Sequence, residues 1–136
     1  MVDNTDRVRR LYDAAARGDF TAWVEDLHEG IEWHTADHVT YHGAEAVITG
    51  LSSRIEDFEG FAIDVHRIIS AGDTIVVEAR YRAIAKATGK VLDAEGVHIF
   101  DLRDGKIVRV QQYTDTFQFA DVKGCTPAPP RPEPLS

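Results

Sequence analysis

At 136 residues the chain has room for one soluble domain and its core, and is too short for two of ordinary size. Its 43% hydrophobic and 28% charged residues exclude wholesale disorder and fibrous repeats, and 15 Lys plus Arg against 23 Asp plus Glu leave a net charge of −8, the wrong sign for neutralising nucleic-acid phosphates. The single cysteine, Cys125, excludes an internal disulfide, no apolar run approaches membrane length, and Met1–Arg7 lacks a signal-peptide pattern, so a soluble cytoplasmic protein is expected, with no nucleic-acid or membrane partner.

Val8, Leu11, Tyr12 and Ala15 recur at i, i+3, i+4 and i+7, which predicts an amphipathic first helix stopped by Gly18. Phe20, Trp23, Val24 and Leu27 repeat that spacing behind Asp19, a competent cap, so a second helix is expected to reach Gly30 and form a hairpin with the first. Ile31-Glu32-Trp33-His34-Thr35 alternates apolar with polar and predicts a short strand with Trp33 and Thr35 facing inward. Tyr41-His42-Gly43 then leads into a third helix through Val47, Ile48, Leu51 and Ile55.

After Gly60 the pattern changes to period two. Four strands are predicted, over about 61–70, 74–86, 91–102 and 106–117, joined by Ala71-Gly72-Asp73, Ala87-Thr88-Gly89-Lys90 and Arg103-Asp104-Gly105-Lys106. The expected fold is α+β: a cone-shaped, curved antiparallel sheet covered by three N-terminal helices, with a central pocket, over residues 1–123. The five prolines crowd the end of the chain and predict an extended tail over residues 124–136 that carries no core.

Several side chains on this frame suit chemistry. His98 has an unperturbed pKa near 6.5, fit for proton transfer at neutral pH, and Gln112 on the neighbouring strand is expected to hydrogen-bond it and fix its tautomer. Tyr12, on the apolar stripe of the first helix, can aim its hydroxyl at a substrate carbonyl. Trp33, Thr35 and Phe100 are expected to line the pocket, with Tyr41 either closing its mouth or tethering the loop to the third helix. His34, Asp37, His38 and His42 are the right types for zinc, but strand-like Val39-Thr40-Tyr41 and Gly43 break the helical spacing that would gather them, and no metal is expected. On the strand from Thr74 to Ala83, Ile75, Val77, Ala79 and Tyr81 share the inward face, which turns Glu78, Arg80 and Arg82 outward, where a second copy of the chain could pair with them in a homodimer.

The hairpin Leu11-Tyr12-Asp13-Ala14-Ala15-Ala16-Arg17-Gly18-Asp19-Phe20, the Tyr41-His42-Gly43 step, and the ending Val97-His98-Ile99-Phe100-Asp101-Leu102-Arg103-Asp104-Gly105-Lys106 with Gln112-Tyr113-Thr114-Asp115 resemble the SnoaL-like branch of the nuclear transport factor 2 and ketosteroid isomerase superfamily. The resemblance spans about residues 5–120 and implies the fold more than the function, since one superfold hosts many activities. Against ketosteroid isomerase, the position of the Asp base falls on Thr35 and the oxyanion-hole Tyr and Asp fall on Leu11 and His98. SnoaL-like polyketide cyclases match better through Tyr12 and His98, with Gln112 where those enzymes carry an Asp acid. The resemblance therefore implies cofactor-free acid/base chemistry (isomerisation, aldol-type cyclisation or dehydration) on an apolar carbonyl compound, with His98, Tyr12 and Gln112 as the catalytic group. The alternative is a non-catalytic ligand-binding or accessory dimeric module.

Overall fold

The computed structural model describes residues 3–124, so the expected proline-rich tail lies, except for Gly124, outside the described residues. Helix α1 (Asn4–Ala16) begins at Asp3, whose side chain accepts the Asp6 amide at 2.9 Å, and buries the stripe Val8, Leu11 and Ala14. Gly18, at φ +71°, lets the chain turn away through the left-handed region.

The predicted second helix is instead a short 3-10 helix, Phe20–Glu25, followed at once by strand β1 (Leu27–His34). The reason is tertiary: Leu27 pairs with Ile107, the Ile107 amide bonds the Asp26 carbonyl at 2.8 Å, and the buried Asp26 carboxylate accepts from Arg10 of α1 at 2.5 Å. Val24, placed on the apolar stripe by spacing alone, is 57% exposed. Gly30 is no helix stop; it lies where the register of β1 shifts between Leu27 and Glu32, a usual place for a strand glycine.

Strand β2 (Thr40–His42) leads into helix α2 (Ala44–Ile55), and the long strands β3 (Phe58–Ala71), β4 (Thr74–Ala85), β5 (Val91–Arg103) and β6 (Lys106–Thr114) follow. Asp104 at φ +50° and Gly105 at φ +77° form the two-residue turn expected between β5 and β6. The sheet order is β2-β1-β6-β5-β4-β3. Strands β3 to β6 are the predicted antiparallel meander, but β1 joins β6 in parallel, so the sheet is mixed. A further helix, α3 (Thr116–Val122), replaces the end of the last predicted strand. Asp115 caps it by accepting the Gln118 amide at 3.0 Å.

The curved sheet is covered on its concave face by α1, the 3-10 helix and α2, and the core runs from Val8 and Leu11 across Ile31, Ile75 and Val77 to Val110. A smaller cluster around Phe58, Tyr81, Leu92 and Val122 closes the end beneath α3. Ile75, Val77, Ala79 and Tyr81 face inward as expected. On the opposite face the charges find partners within the chain: Glu78 with Arg67, Arg80 with Asp93 and Arg82 with Asp64. Their pairing does not depend on a second copy.

Candidate functional site

Between the concave face and the helices lies a cavity of about 310 Å3, walled by α1, the 3-10 helix, α2, α3 and the sheet. Its surface is mostly aromatic and aliphatic; Thr114, Thr116 and Lys123 also line it, and the remaining polar side chains fall into two clusters. The first is centred on His98. This residue is 2% exposed, yet both ring nitrogens are engaged: Nδ1 lies 2.5 Å from the Tyr12 hydroxyl and Nε2 meets the Tyr81 hydroxyl. Three elements converge here, with Tyr12 from α1, Tyr81 from β4 and His98 from β5. The Tyr12 and His98 rings are parallel within 3° at 5.8 Å, and Phe100 stands edge-on to both.

The backbone explains why Tyr81 can reach so far. Ala94 is its direct partner on β5, so its ring must pass over Gly96 to reach His98, and a Cβ at Gly96 would sit 2.5 Å from that ring. Only glycine leaves the path open. Tyr81 itself was read from the sequence as one of an apolar row; a glycine inside an otherwise alternating strand was the signal that a neighbouring ring needed the space.

Burial sets the protonation states. It lowers the His98 pKa to about 4, raises that of Tyr81, and, with a smaller contribution from Tyr81, raises that of Tyr12 well above the usual phenol value. At neutral pH the trio is therefore uncharged. A neutral imidazole has one N–H and one bare nitrogen, so one tyrosine donates to His98 and the other accepts from it. The accepting tyrosine keeps its own proton, free to donate into the cavity.

Gln112 is paired with His98 across β5 and β6 and lines the cavity, but the expected His98–Gln112 hydrogen bond is replaced by the two tyrosines. Trp33 and Phe100 line the cavity as expected; Trp33 stacks on Trp23 at 5.4 Å, and Trp23 is fixed by its indole N–H to the Leu11 carbonyl.

The second cluster sits at the rim. Thr35 lines the cavity, but its hydroxyl is 2.6 Å from Asp37 Oδ1 and 3.0 Å from the Val39 carbonyl, and it also accepts the Val39 amide, so it organises a turn. Asp37 accepts from Arg54 Nη1 through both carboxylate oxygens at 3.1 Å. Partial burial opposes ionisation of Asp37, but the hydrogen bonds from Thr35 and Arg54 and the Arg54 charge outweigh it and hold its pKa below the usual carboxylate value. Asp37 and Arg54 are cavity residues that the local sequence pattern does not mark; Asp37 stands out there only as a possible metal ligand. Tyr41, expected at the pocket, stays outside its lining. The ring lies against Gly50, where a Cβ would come within 2.3 Å, and the hydroxyl accepts Arg54 Nε at 2.9 Å, so it tethers the loop to α2. Of the histidines considered with Asp37, His34 faces the Thr40 hydroxyl and, with His42, approaches the Glu32 carboxylate rather than Asp37, and among the described residues no three His, Cys, Asp or Glu side chains stand where they could share an ion.

A curved, unclosed sheet wrapped on helices around one deep cavity defines the cone of the nuclear transport factor 2-like class. Within that class the SnoaL-like domain model matches residues 8–110, and the chain belongs to that family. A SnoaL-like protein from Jannaschia sp. CCS1 superposes with a TM-score of 0.83 at 24% identity, covering 91% of this chain and 93% of that one. A nuclear transport factor 2-like protein from Burkholderia thailandensis E264 is 29% identical with a TM-score of 0.79, covering 85% of this chain and 93% of its own. TerC, co-crystallised with polyporic acid, is 20% identical with a TM-score of 0.80, covering 89% and 98%. No functionally curated sequence matches the chain. No helix among the described residues is long and apolar enough to cross a membrane.

Proposed function

We propose that the cavity binds a mostly apolar small molecule bearing a carbonyl or enol oxygen and promotes proton transfer next to that oxygen, giving isomerisation, aldol-type cyclisation or dehydration. The observation that carries this reading is a neutral, buried His98 with a tyrosine hydroxyl on each ring nitrogen, set into a mostly apolar wall. In such surroundings a hydroxyl donor with a spare proton stabilises developing negative charge on oxygen more than it would in water. Tyr12 and Gln112 hold the oxygen; Trp33 and Phe100 pack against the planar body of the ligand; His98 works from behind the tyrosines. The co-crystallisation of TerC with polyporic acid supports small organic molecules as the ligand class of this fold. The experiment is a thermal-shift screen against planar phenols, enones, steroids and polyketide mimics, in which a hit should stabilise the wild type and lose its effect in both Tyr12→Phe and His98→Ala. A hit indifferent to both substitutions would move the ligand elsewhere.

The alternative, a ligand-binding or accessory module without catalysis, is favoured by one observation: Asp37, the only carboxylate lining the cavity among the described residues, is clamped by Arg54. It predicts binding with no exchange of carbon-bound hydrogen. Homodimer formation through the outer sheet face, where Ile84, Val91 and Tyr113 are exposed, belongs to both readings and would make the melting temperature rise with protein concentration.

A further inference from the structure

Among the described residues the only carboxylate lining the cavity, Asp37, is clamped by Arg54, yet proton transfer next to a carbonyl requires one group to give a proton and another to take it. From the arrangement of the three side chains we infer that Tyr12, His98 and Tyr81 form a neutral, reversible proton relay, in which both tyrosines are catalytic residues and Tyr81 is as necessary as Tyr12. This inference rests on the carbonyl-ligand reading above and supplies its missing acceptor.

The relay has two resting states. In one, Tyr12 donates to Nδ1, Nε2–H donates to the Tyr81 oxygen, and the Tyr81 proton is free. In the other, Tyr81 donates to Nε2, Nδ1–H donates to the Tyr12 oxygen, and the Tyr12 proton is free. From the second state, the free Tyr12 proton goes to the carbonyl oxygen of the ligand as the adjacent C–H bond breaks and its proton goes to the Tyr81 oxygen. The electron pair of that C–H bond becomes the new C=C bond, and the C=O π pair becomes the O–H bond. The former Tyr81 proton passes to Nε2 and the Nδ1 proton passes to Tyr12. A ketone has become an enol, and the protein stands in its first state with every atom and charge accounted for. The reverse passage returns both. Tyr12, Tyr81 and His98 all line the cavity, and because both ring nitrogens of His98 are taken up by the two hydroxyls, His98 acts through them. The substrate class is a compound that can exchange a proton between a carbon and a nearby carbonyl oxygen.

Two measurements on the full chain test the relay. The first needs no ligand: nitrogen-15 NMR of His98 should show a neutral ring populating both tautomers in the wild type. In Tyr81→Phe the remaining phenol should leave Nδ1 bare and the proton on Nε2, and in Tyr12→Phe the reverse. A single fixed tautomer in the wild type would overturn the relay. The second uses 2-tetralone as the probe, with binding followed by thermal shift and enolisation followed as deuterium uptake at C1. Tyr12→Phe, Tyr81→Phe and His98→Gln should each cut enolisation, compared at 2-tetralone concentrations that saturate each protein, at least 100-fold, the scale of a lost acid/base group. His98→Gln is the decisive variant, because an amide can hydrogen-bond both hydroxyls but cannot pass a proton from one atom to the other. Should either Tyr→Phe variant retain enolisation within threefold of wild type, the relay is overturned and a single tyrosine acts as a simple oxygen holder. A wild type that shows both tautomers but neither binds nor enolises 2-tetralone overturns the carbonyl-ligand reading and the catalytic use of the relay with it. The spectrum distinguishes that failure from failure of the relay geometry.

Discussion

Two polar clusters line one cavity, and they solve the same problem in opposite ways. Around His98 burial is nearly complete, so charge is excluded and three titratable groups stay neutral by exchanging hydrogen bonds among themselves. At the rim Asp37 and Arg54 are half-exposed, so charge is tolerated and each is steadied by the other. The contrast shows that solvent access decides which of these groups carry charge. The carboxylate, the residue usually sought for such work, is held ionised and occupied, while the phenols and imidazole are left unionised and mutually poised.

Acid should break this contrast most visibly. The unfolded chain protonates His98 near its ordinary 6.5, but the folded chain resists until about pH 4. The unfolded state therefore binds more protons in that window, and stability falls as pH drops through it, at about 1.4 kcal/mol per pH unit and about 3 kcal/mol in all. Chemical denaturation at a series of pH values measures this, and His98→Gln should flatten the slope between pH 6.5 and 4. Asp37 adds a smaller loss of the same sign at lower pH, because its folded pKa is also depressed.

Gly96→Ala should come next. The added methyl meets the Tyr81 ring at 2.5 Å and forces it off His98, so a loss of about 1–3 kcal/mol is expected, as for other overpacked cores. The His98 ring should then shift to a single tautomer by NMR. At the rim the effects should be smaller. Asp37→Asn should cost no more than about 1 kcal/mol, with a dependence on salt that Gly96→Ala lacks. Tyr41→Phe, which removes only the acceptor for Arg54, should cost about 0.5–1 kcal/mol and leave ligand affinity unchanged, since Tyr41 lies outside the cavity wall. If the rim substitutions proved as damaging as Gly96→Ala, the distinction between the clusters would collapse.

What could be read from the sequence divides along physical lines. The antiparallel meander was legible because its alternation and its Asp-Gly turn are local signals, and the turn dihedrals at Asp104 and Gly105 match them. The parallel seat of β1 beside β6 was not, because no local pattern records a pairing between Leu27 and Ile107. The same long-range pairing turned an apparent helix at Phe20–Leu27 into a 3-10 turn and a strand. Helix α3 has its signal in Asp115 and Gln118 at capping positions, but the period-two alternation of β6 runs into it and masks its start. In the site, residue types pointed to Tyr12 and His98, but Tyr81 needed the cross-strand register and the gap at Gly96, and Asp37 needed the turn that brings it to the cavity. Identity on a strand is local; the partner of a ring nitrogen is not.

The parallel strand has a further consequence for how the molecule assembles in time. Hairpins β3–β4, β4–β5 and β5–β6 close over short stretches of chain, whereas β1 can dock only after a long loop has been brought back, and non-local closure is the slow part of folding. Tyr81 and His98 should therefore meet early, within the hairpin array, while Tyr12 arrives late with the N-terminal segment. In pulse-labelling hydrogen exchange during refolding, amides of β4 and β5 should gain protection before those of α1 and β1, so the cavity would acquire its roof only as the final event.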